Sequence, residues 1–241
     1  LVMNDSRVLP ARLLGTRPSG GAAEVLLLRE CGDNVWECLV RPGRKLQVGQ
    51  TISFGDGALR ATVLAVTADG GRMVQFEYEG IFLEILERLG KMPLPPYIKE
   101  ELQEQERYQT VYSREVGSAA APTAGLHFTK PLLEKIREKG VREAFVTLHV
   151  GLGTFRPVKA DEITEHHMHS ELCMLNAQTA ELLNQTRTEG GRIVCVGTTS
   201  CRTLESLVQE DGSFAAASKW TDIFIYPGYQ FRAMDALITN F

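Results

Sequence analysis

Two histidines occupy contexts suited to exchanging a proton with a ligand rather than filling a core. His127 stands near the end of the run Gly117-Ser118-Ala119-Ala120-Ala121-Pro122-Thr123-Ala124-Gly125-Leu126-His127-Phe128, whose four alanines and two glycines leave little side chain to bury. Pro122 and Gly125 set the backbone there, and Thr123 and His127 supply polar groups. Such a run reads as a loop built around a ligand; the plainer alternative is a small-residue connection packed against a neighbouring backbone. His149 lies in Leu148-His149-Val150-Gly151-Leu152-Gly153-Thr154-Phe155, at the end of an apolar run and just before a glycine turn. Open α/β sheets bind ligands beyond the carboxyl ends of their strands, so this is a second candidate site. Imidazole titrates near neutrality and suits general acid–base work, with a hydrogen-bonded structural histidine as the alternative at each position. A third stretch, Gly197-Thr198-Thr199-Ser200, leads into the helical pattern Arg202-Thr203-Leu204-Glu205-Ser206-Leu207. With Ser200 as cap, free amides near Thr198 and Thr199 suit a carboxylate or sugar hydroxyls.

Other chemistries fit less well. His166-His167-Met168-His169-Ser170-Glu171 gathers three imidazoles and a carboxylate within six residues, but lacks the HExxH pattern and a distant ligand pair, so no metal is expected. No GxSxG elbow exists, and no cysteine has a persuasive base beside it. The GxGxxG fingerprint fails because Thr154-Phe155-Arg156 follows Gly151-Leu152-Gly153 and Pro157 interrupts any helix.

The elements that must position these residues fall into two groups. Short β-rich runs at 24–29, 35–41, 50–54, 59–66 and 73–78 are separated by Gly/Asp/Asn turns, which suggests a small antiparallel barrel or sandwich. Phe82, Ile85, Leu86 and Leu89 recur at helical spacing, with Gly90 where a C′ glycine belongs. Three prolines then stiffen Met92-Pro93-Leu94-Pro95-Pro96-Tyr97-Ile98, and Tyr108 and Tyr112 form a pair suited to a cleft or a core. Thr129 as N-cap and Pro131 near N1 open a helix over 130–139 that ends at Gly140. Strands follow at 141–150 and 192–196, with another strand and turn over 221–229. Alternating strands and helices imply a partly parallel sheet. The expected architecture is α/β: a larger mixed α/β domain (1–13 and 81–241) with a small inserted antiparallel β-barrel domain (14–80).

Composition narrows the class further. A 44% hydrophobic content suits a globular core, and there is neither an apolar run near 18 residues nor a basic-then-apolar leader, so a cytoplasmic, membrane-free protein is expected. The five cysteines, odd in number and scattered, read as reduced thiols. A net charge of −4 argues against a wholesale nucleic-acid binder, yet Arg7, Arg12, Arg17, Arg41, Arg44 and Lys45 concentrate positive charge early in the chain. From charge alone a solvated surface is the better reading. The apolar ends, Leu1-Val2-Met3 and Leu237-Ile238-Thr239-Asn240-Phe241, suggest that pieces of a longer protein are missing.

In order along the chain, NDSRVLPARLLG, LGKMPLPPYI, YQTVYS, GSAAAPTAGLHF, FVTLHVGLGTFRPV, MHSE, GGRIVCVGTTSCRTLES and TDIFIYPGYQFRAMDALITNF resemble the S-adenosylmethionine:tRNA ribosyltransferase-isomerase family of queuosine biosynthesis. Ser6 stands where threonine is common and Leu152 where alanine is usual. The resemblance implies transfer and isomerisation of the ribosyl moiety of S-adenosylmethionine onto 7-aminomethyl-7-deazaguanine at the tRNA wobble position, giving epoxyqueuosine-tRNA, adenine and methionine. S-adenosylmethionine would be a ribosyl-donating co-substrate, tRNA the macromolecular partner, and a monomer the expected state. A base must remove a proton beside the sulfonium, and a second acceptor must keep the attacking amine neutral; His127 and His149 are the candidates, with Asp222 or Glu205 offsetting positive charge. Thr123, Thr198 and Thr199 suit ribose or methionine contacts, and Ala124, Gly125, Gly151 and Gly153 join them as cofactor contacts. Tyr97, Tyr226 and Tyr229 suit stacking on a base. Arg7 and Arg12 suit tRNA phosphates, and Arg202 a phosphate or the methionine carboxylate. A catalytically silent RNA-binding module and an adenosine-processing hydrolase are the alternatives.

Overall fold

A computed structural model of the chain describes residues 1–68, 70–94, 98, 102, 104–151 and 170–240. The chain divides into two units, Leu1–Val8 with Glu106–Phe241, and Leu9–Gln105. The architecture is mixed α/β with an inserted antiparallel barrel, as the strand and helix patterning predicts.

Strand β1 (Val2–Asn4) is buried at every position. Successive strand residues face opposite sides, so neighbouring apolar residues demand cover on both faces. Val2 joins one hydrophobic cluster and Met3 another. After Asp5, β2 (Ser6–Val8) leaves this sheet.

The second unit contains β3 (Arg12–Thr16), β4 (Ala22–Glu30), β5 (Val35–Arg41), β6 (Thr51–Phe54), β7 (Leu59–Val66) and β8 (Arg72–Tyr78). They pair antiparallel in the order β4-β5-β8-β7-β6-β3, and β3 pairs back onto β4 to close a six-stranded barrel. Alternate residues point inward: Val25 and Leu27, Trp36 and Cys38, Ile52 and Phe54, Leu59, Ala61 and Val63, Val74 and Phe76 share one core. Helix α1 (Phe82–Leu89) lowers Ile85 and Leu86 onto that core and sets the Phe82 ring among Trp36, Phe76 and Tyr78. Gly90 begins β9 (Gly90–Lys91), paired with β3. Its φ of −81° is not the left-handed value a C′ glycine would show. Glycine is required there because any Cβ would strike the Pro10 carbonyl.

The first unit resumes with β10 (Glu115–Ser118), parallel to β2, then α2 (Lys130–Glu138), β11 (Ala144–His149), β12 (Glu171–Leu175), α3 (Ala177–Thr188), β13 (Val194–Val196), α4 (Gly197–Leu207), β14 (Ala217–Thr221) and β15 (Ala236–Ile238). The sheet order is β14-β12-β11-β1-β13-β15, in which β11, β1, β13 and β15 are parallel and β12 runs antiparallel to both of its neighbours, β11 and β14. Val146, Leu148 and Cys195 pack with Ala180 and Leu183 of α3 and Leu204 of α4, whereas Met3, Phe145 and Val196 pack with Leu133 of α2 and Phe128. Thr129 caps α2 through a 3.3 Å bond from the Leu132 amide, and Asn176 caps α3. The strand read at 221–229 instead occupies 217–221, where it pairs with β12. Among the described residues no helix is long and apolar enough to cross a membrane.

Candidate functional site

The site begins at the carboxyl end of β11. Ala144, Val146 and Leu148 face the α3/α4 side, so alternation sends Phe145, Thr147 and His149 to the opposite face. Where β1 ends, side chains take over from the ladder. Asn4 accepts from the Leu148 amide (3.0 Å) and donates to the Leu148 carbonyl (3.1 Å), and buried Asp5 accepts from Thr147 (2.7 Å) and from Arg114 (2.8 Å).

The small-residue loop is stitched onto this strand end. The Ser118 hydroxyl accepts from the Val150 amide (3.0 Å) and donates to the Ala120 carbonyl (2.7 Å), and the Ala119 amide donates to the Val150 carbonyl (2.9 Å). These bonds bring Gly117 against the His149 ring: at φ +144°, a Cβ there would stand 3.0 Å from the imidazole Cε1. His149 Nδ1 is buried and has no hydrogen-bond partner. Burial pulls the His149 pKa below its ordinary value, with Glu115 and Asp5 opposing. The ring is therefore neutral at neutral pH and competent to accept a proton.

Further along, Thr123–His127 forms a single 3₁₀ turn. Gly125 lies against the Tyr112 hydroxyl and Thr110, where a Cβ would clash with both. Tyr112 Oη and Thr110 Oγ1 are buried without partners, and burial, reinforced by Asp5, raises the Tyr112 pKa well above the usual phenol value. Ala124 abuts Gly197, whose added Cβ would sit 3.6 Å from the alanine methyl. The loop thus bridges the end of β11 and the start of α4. His127 is exposed, with Nε2 2.9 Å from Asn240 Oδ1.

Helix α4 follows β13 without an intervening loop because Gly197 adopts φ +80°. No side chain caps it: Val196 is the N-cap residue, and the Ser200 hydroxyl, expected as the cap, lies inside the helix and donates to the Val196 carbonyl (2.8 Å). First-turn amides are consequently not satisfied by a side chain. Thr198 is exposed, and Thr199 Oγ1 is buried without a partner.

The remaining candidates divide. Arg202 is ion-paired with Glu171 and donates from Nε to the Ile223 carbonyl (3.2 Å), while Glu171 Oε1 accepts from the Gly151 amide (3.0 Å). Glu205 is spent on structure: it accepts from the Arg232 and Ala233 amides and from the Tyr229 hydroxyl, whose pKa burial and Glu205 push up to about 12. Tyr226 is exposed beside Phe224, and Asp222 is exposed. Arg7 bonds Glu106 and Ser113; Arg12, in the barrel unit, pairs with Glu24. Gly153, Tyr97, His166, His167 and His169 lie outside the described residues.

Along the loop Gly117 therefore meets His149, Ser118 and Ala119 bond Val150, and Ala124 meets Gly197 near Thr199, while Glu171 joins Gly151 to Arg202. The structure leaves Tyr226 and Asp222 on exposed segments, and Arg12 in the other unit. Ser118, Thr110 and Asn4 carry no local signal of a role, and Glu171 stands out only within the histidine cluster and the MHSE motif. Tyr112 was legible as half of a tyrosine pair; the others act through partners too distant in sequence to be seen.

A family model described as queuosine biosynthesis protein matches residues 1–241. Among solved structures, the S-adenosylmethionine tRNA ribosyltransferase of Thermotoga maritima is similar, with 33% identity over 100% of this chain and 66% of that one, at a TM-score of 0.42. This chain thus spans just under two thirds of that relative's length.

Proposed function

The chain belongs to the queuosine biosynthesis protein family, and from that premise we propose that it transfers and isomerises the ribosyl moiety of S-adenosylmethionine onto 7-aminomethyl-7-deazaguanine in tRNA, releasing adenine and methionine. The observation that carries the reading is the bridge made by the 117–128 loop, bonded at one end to Val150 and packed at Gly197 on the other. A neutral base and a helix start whose amides no side chain caps flank one loop of small residues.

A sulfonium acidifies the carbon beside it, and the group that removes that proton must be neutral beforehand. His149 meets this need because burial disfavours its cationic form. The proton passes to the ring, and adenine then departs with its bonding pair as the sugar opens. The aminomethyl group must lose a proton as its nitrogen bonds the opened ribosyl fragment, and methionine leaves as a neutral thioether, taking the C–S bonding pair as a sugar oxygen closes the epoxide on that carbon. If His127 donates from Nε2 to Asn240, its Nδ1 lone pair is free to take that proton. The first turn of α4 and Thr199 suit the methionine carboxylate, since the helix start carries about half a positive charge. Thr123 and Thr198 suit ribose hydroxyls, Tyr226 a stacked base, and Asp222 the sulfonium charge. Arg7 and Arg12 already hold carboxylates in half-exposed pairs. Such pairs are worth about 0–1 kcal/mol, so exchange for tRNA phosphates costs little.

The test is incubation of the full-length protein with labelled S-adenosylmethionine and tRNA bearing the precursor base. Release of adenine and methionine only when that tRNA is present supports the proposal. Release without tRNA would identify a nucleoside hydrolase, and tight tRNA binding without release a silent binding module.

A further inference from the structure

The end of β11 and the two residues after it are held at three of four consecutive backbone positions by groups from elsewhere: Leu148 by Asn4, Val150 by Ser118, and Gly151 by Glu171. Only the last hold is ionic. Glu171 and Arg202 are both nearly buried, with side-chain exposures of 3% and 13%. Removing two charges from water is expensive, and an apolar pair of similar volume often gives equal or greater stability. A buried pair is better suited to imposing one geometry than to adding stability. Each partner also reaches a different backbone segment. Glu171 Oε1 accepts from Gly151, two residues beyond His149, and Arg202 Nε donates to the carbonyl of Ile223, next to Asp222. Arg202 itself rides on α4, whose first turn Ala124 touches.

We propose that Glu171 and Arg202 are positioning residues that fix the end of β11, and with it His149, relative to α4 and the 221–223 segment, without themselves touching the substrate. This rests on the reading of His149 as the base. Arg202, first read as a phosphate or carboxylate contact, is thereby reassigned. The pair sets where the imidazole stands when the reacting carbon arrives. A displacement of about 1 Å in such a group lowers turnover on the order of 10²-fold.

The decisive comparison is between the wild-type full-length protein and the apolar double variant Glu171→Leu/Arg202→Met. The variant strands the Gly151 amide and the Ile223 carbonyl, at about 1–3 kcal/mol each, which relief of the buried charges offsets in part; it should fold, with kcat lowered about 10²-fold and KM for S-adenosylmethionine unchanged. A folded double variant with wild-type kcat, or one that only raises KM, overturns the proposal. Should the double variant fail to fold, Glu171→Gln serves instead. It keeps an acceptor for Gly151 but leaves the Arg202 charge uncompensated, so it should lower the melting temperature and also the kcat of the folded molecules; unchanged kcat per folded molecule overturns the proposal. Absence of turnover in the wild-type protein would be a failure of the proposed reaction instead. The positioning claim would then rest on amide exchange, with Gly151 and Ala119 expected to exchange faster in the double variant and unchanged rates overturning it.

Discussion

Arg72, buried, and Arg202, nearly so, show how differently the two units spend their polar groups. In the barrel, Arg72 is 5% exposed and gives all three guanidinium nitrogens to carbonyls: Nε to Leu46, Nη1 to Gly70 and Gly71, and Nη2 to Gly43. In the α/β unit, Arg202 leaves Nη2 buried and without a partner. The contrast extends beyond these residues. His149 Nδ1, Tyr112 Oη, Thr110 Oγ1 and Thr199 Oγ1 are also buried and unpartnered, and all lie along the small-residue loop and the backbone ends it joins. The barrel unit's atoms without a hydrogen-bond partner are scattered: Arg12 Nε lies in β3, and Arg17 Nε and Thr67 Oγ1 sit just past strand ends. Native folds satisfy nearly every buried polar group, so a cluster of exceptions calls for a role. The barrel uses its donors to hold turns; the loop region holds donors and acceptors not consumed by the fold.

Substitutions break the comparison from either side. The largest effect is expected from His149→Ala, which should cut turnover about 10²–10⁴-fold, the usual contribution of general acid–base catalysis. No described hydrogen bond is lost, so the melting temperature should barely move; a large drop in stability with unchanged specific activity would place His149 with the barrel's structural groups. Arg72→Met should act in the opposite sense. Stranding carbonyls at about 1–3 kcal/mol each, it should cost about 3 kcal/mol or more in denaturant unfolding, while turnover per folded molecule stays at wild type. Gly125→Ala, whose methyl would meet the Tyr112 hydroxyl and Thr110, should cost about 1–3 kcal/mol through overpacking and lower turnover with it.

The smallest effect is in pH dependence. The folded His149 pKa is lowered, so its neutral form should persist as pH falls through about 6.5, the ordinary histidine value. The acid limb of kcat should lie below that pH. The unfolded chain protonates first, so stability is lost as pH falls below about 6.5, and His149→Ala should remove that component.

Local signals in the sequence were readable where one short segment carries the whole cause. Thr129 and Pro131 start α2 as composition predicts, because capping needs no distant partner. The barrel strands follow their alternation to within a residue or two. Where a distant element decides, reading failed. Ser200 resembles a cap, but the left-handed Gly197 starts the helix three residues earlier. Glu205 looks available for a cation until the 226–233 turn folds back and gives it two amides. Glu171 and Arg202 stand 31 residues apart, and nothing in either neighbourhood announces the other. The two histidines are legible as candidates; that one is half-buried beneath Gly117 and the other exposed beside Asn240 is not.

The central claim is that the loop, the end of β11 and the first turn of α4 form one binding face. Titration of the isotopically labelled protein with S-adenosylmethionine, followed by backbone amide chemical shifts, tests it most directly. The account predicts shifts grouped at 117–125, at Val150 and Gly151, and at 198–200. Shifts confined to 9–105, with those three groups unmoved under saturation, would contradict it.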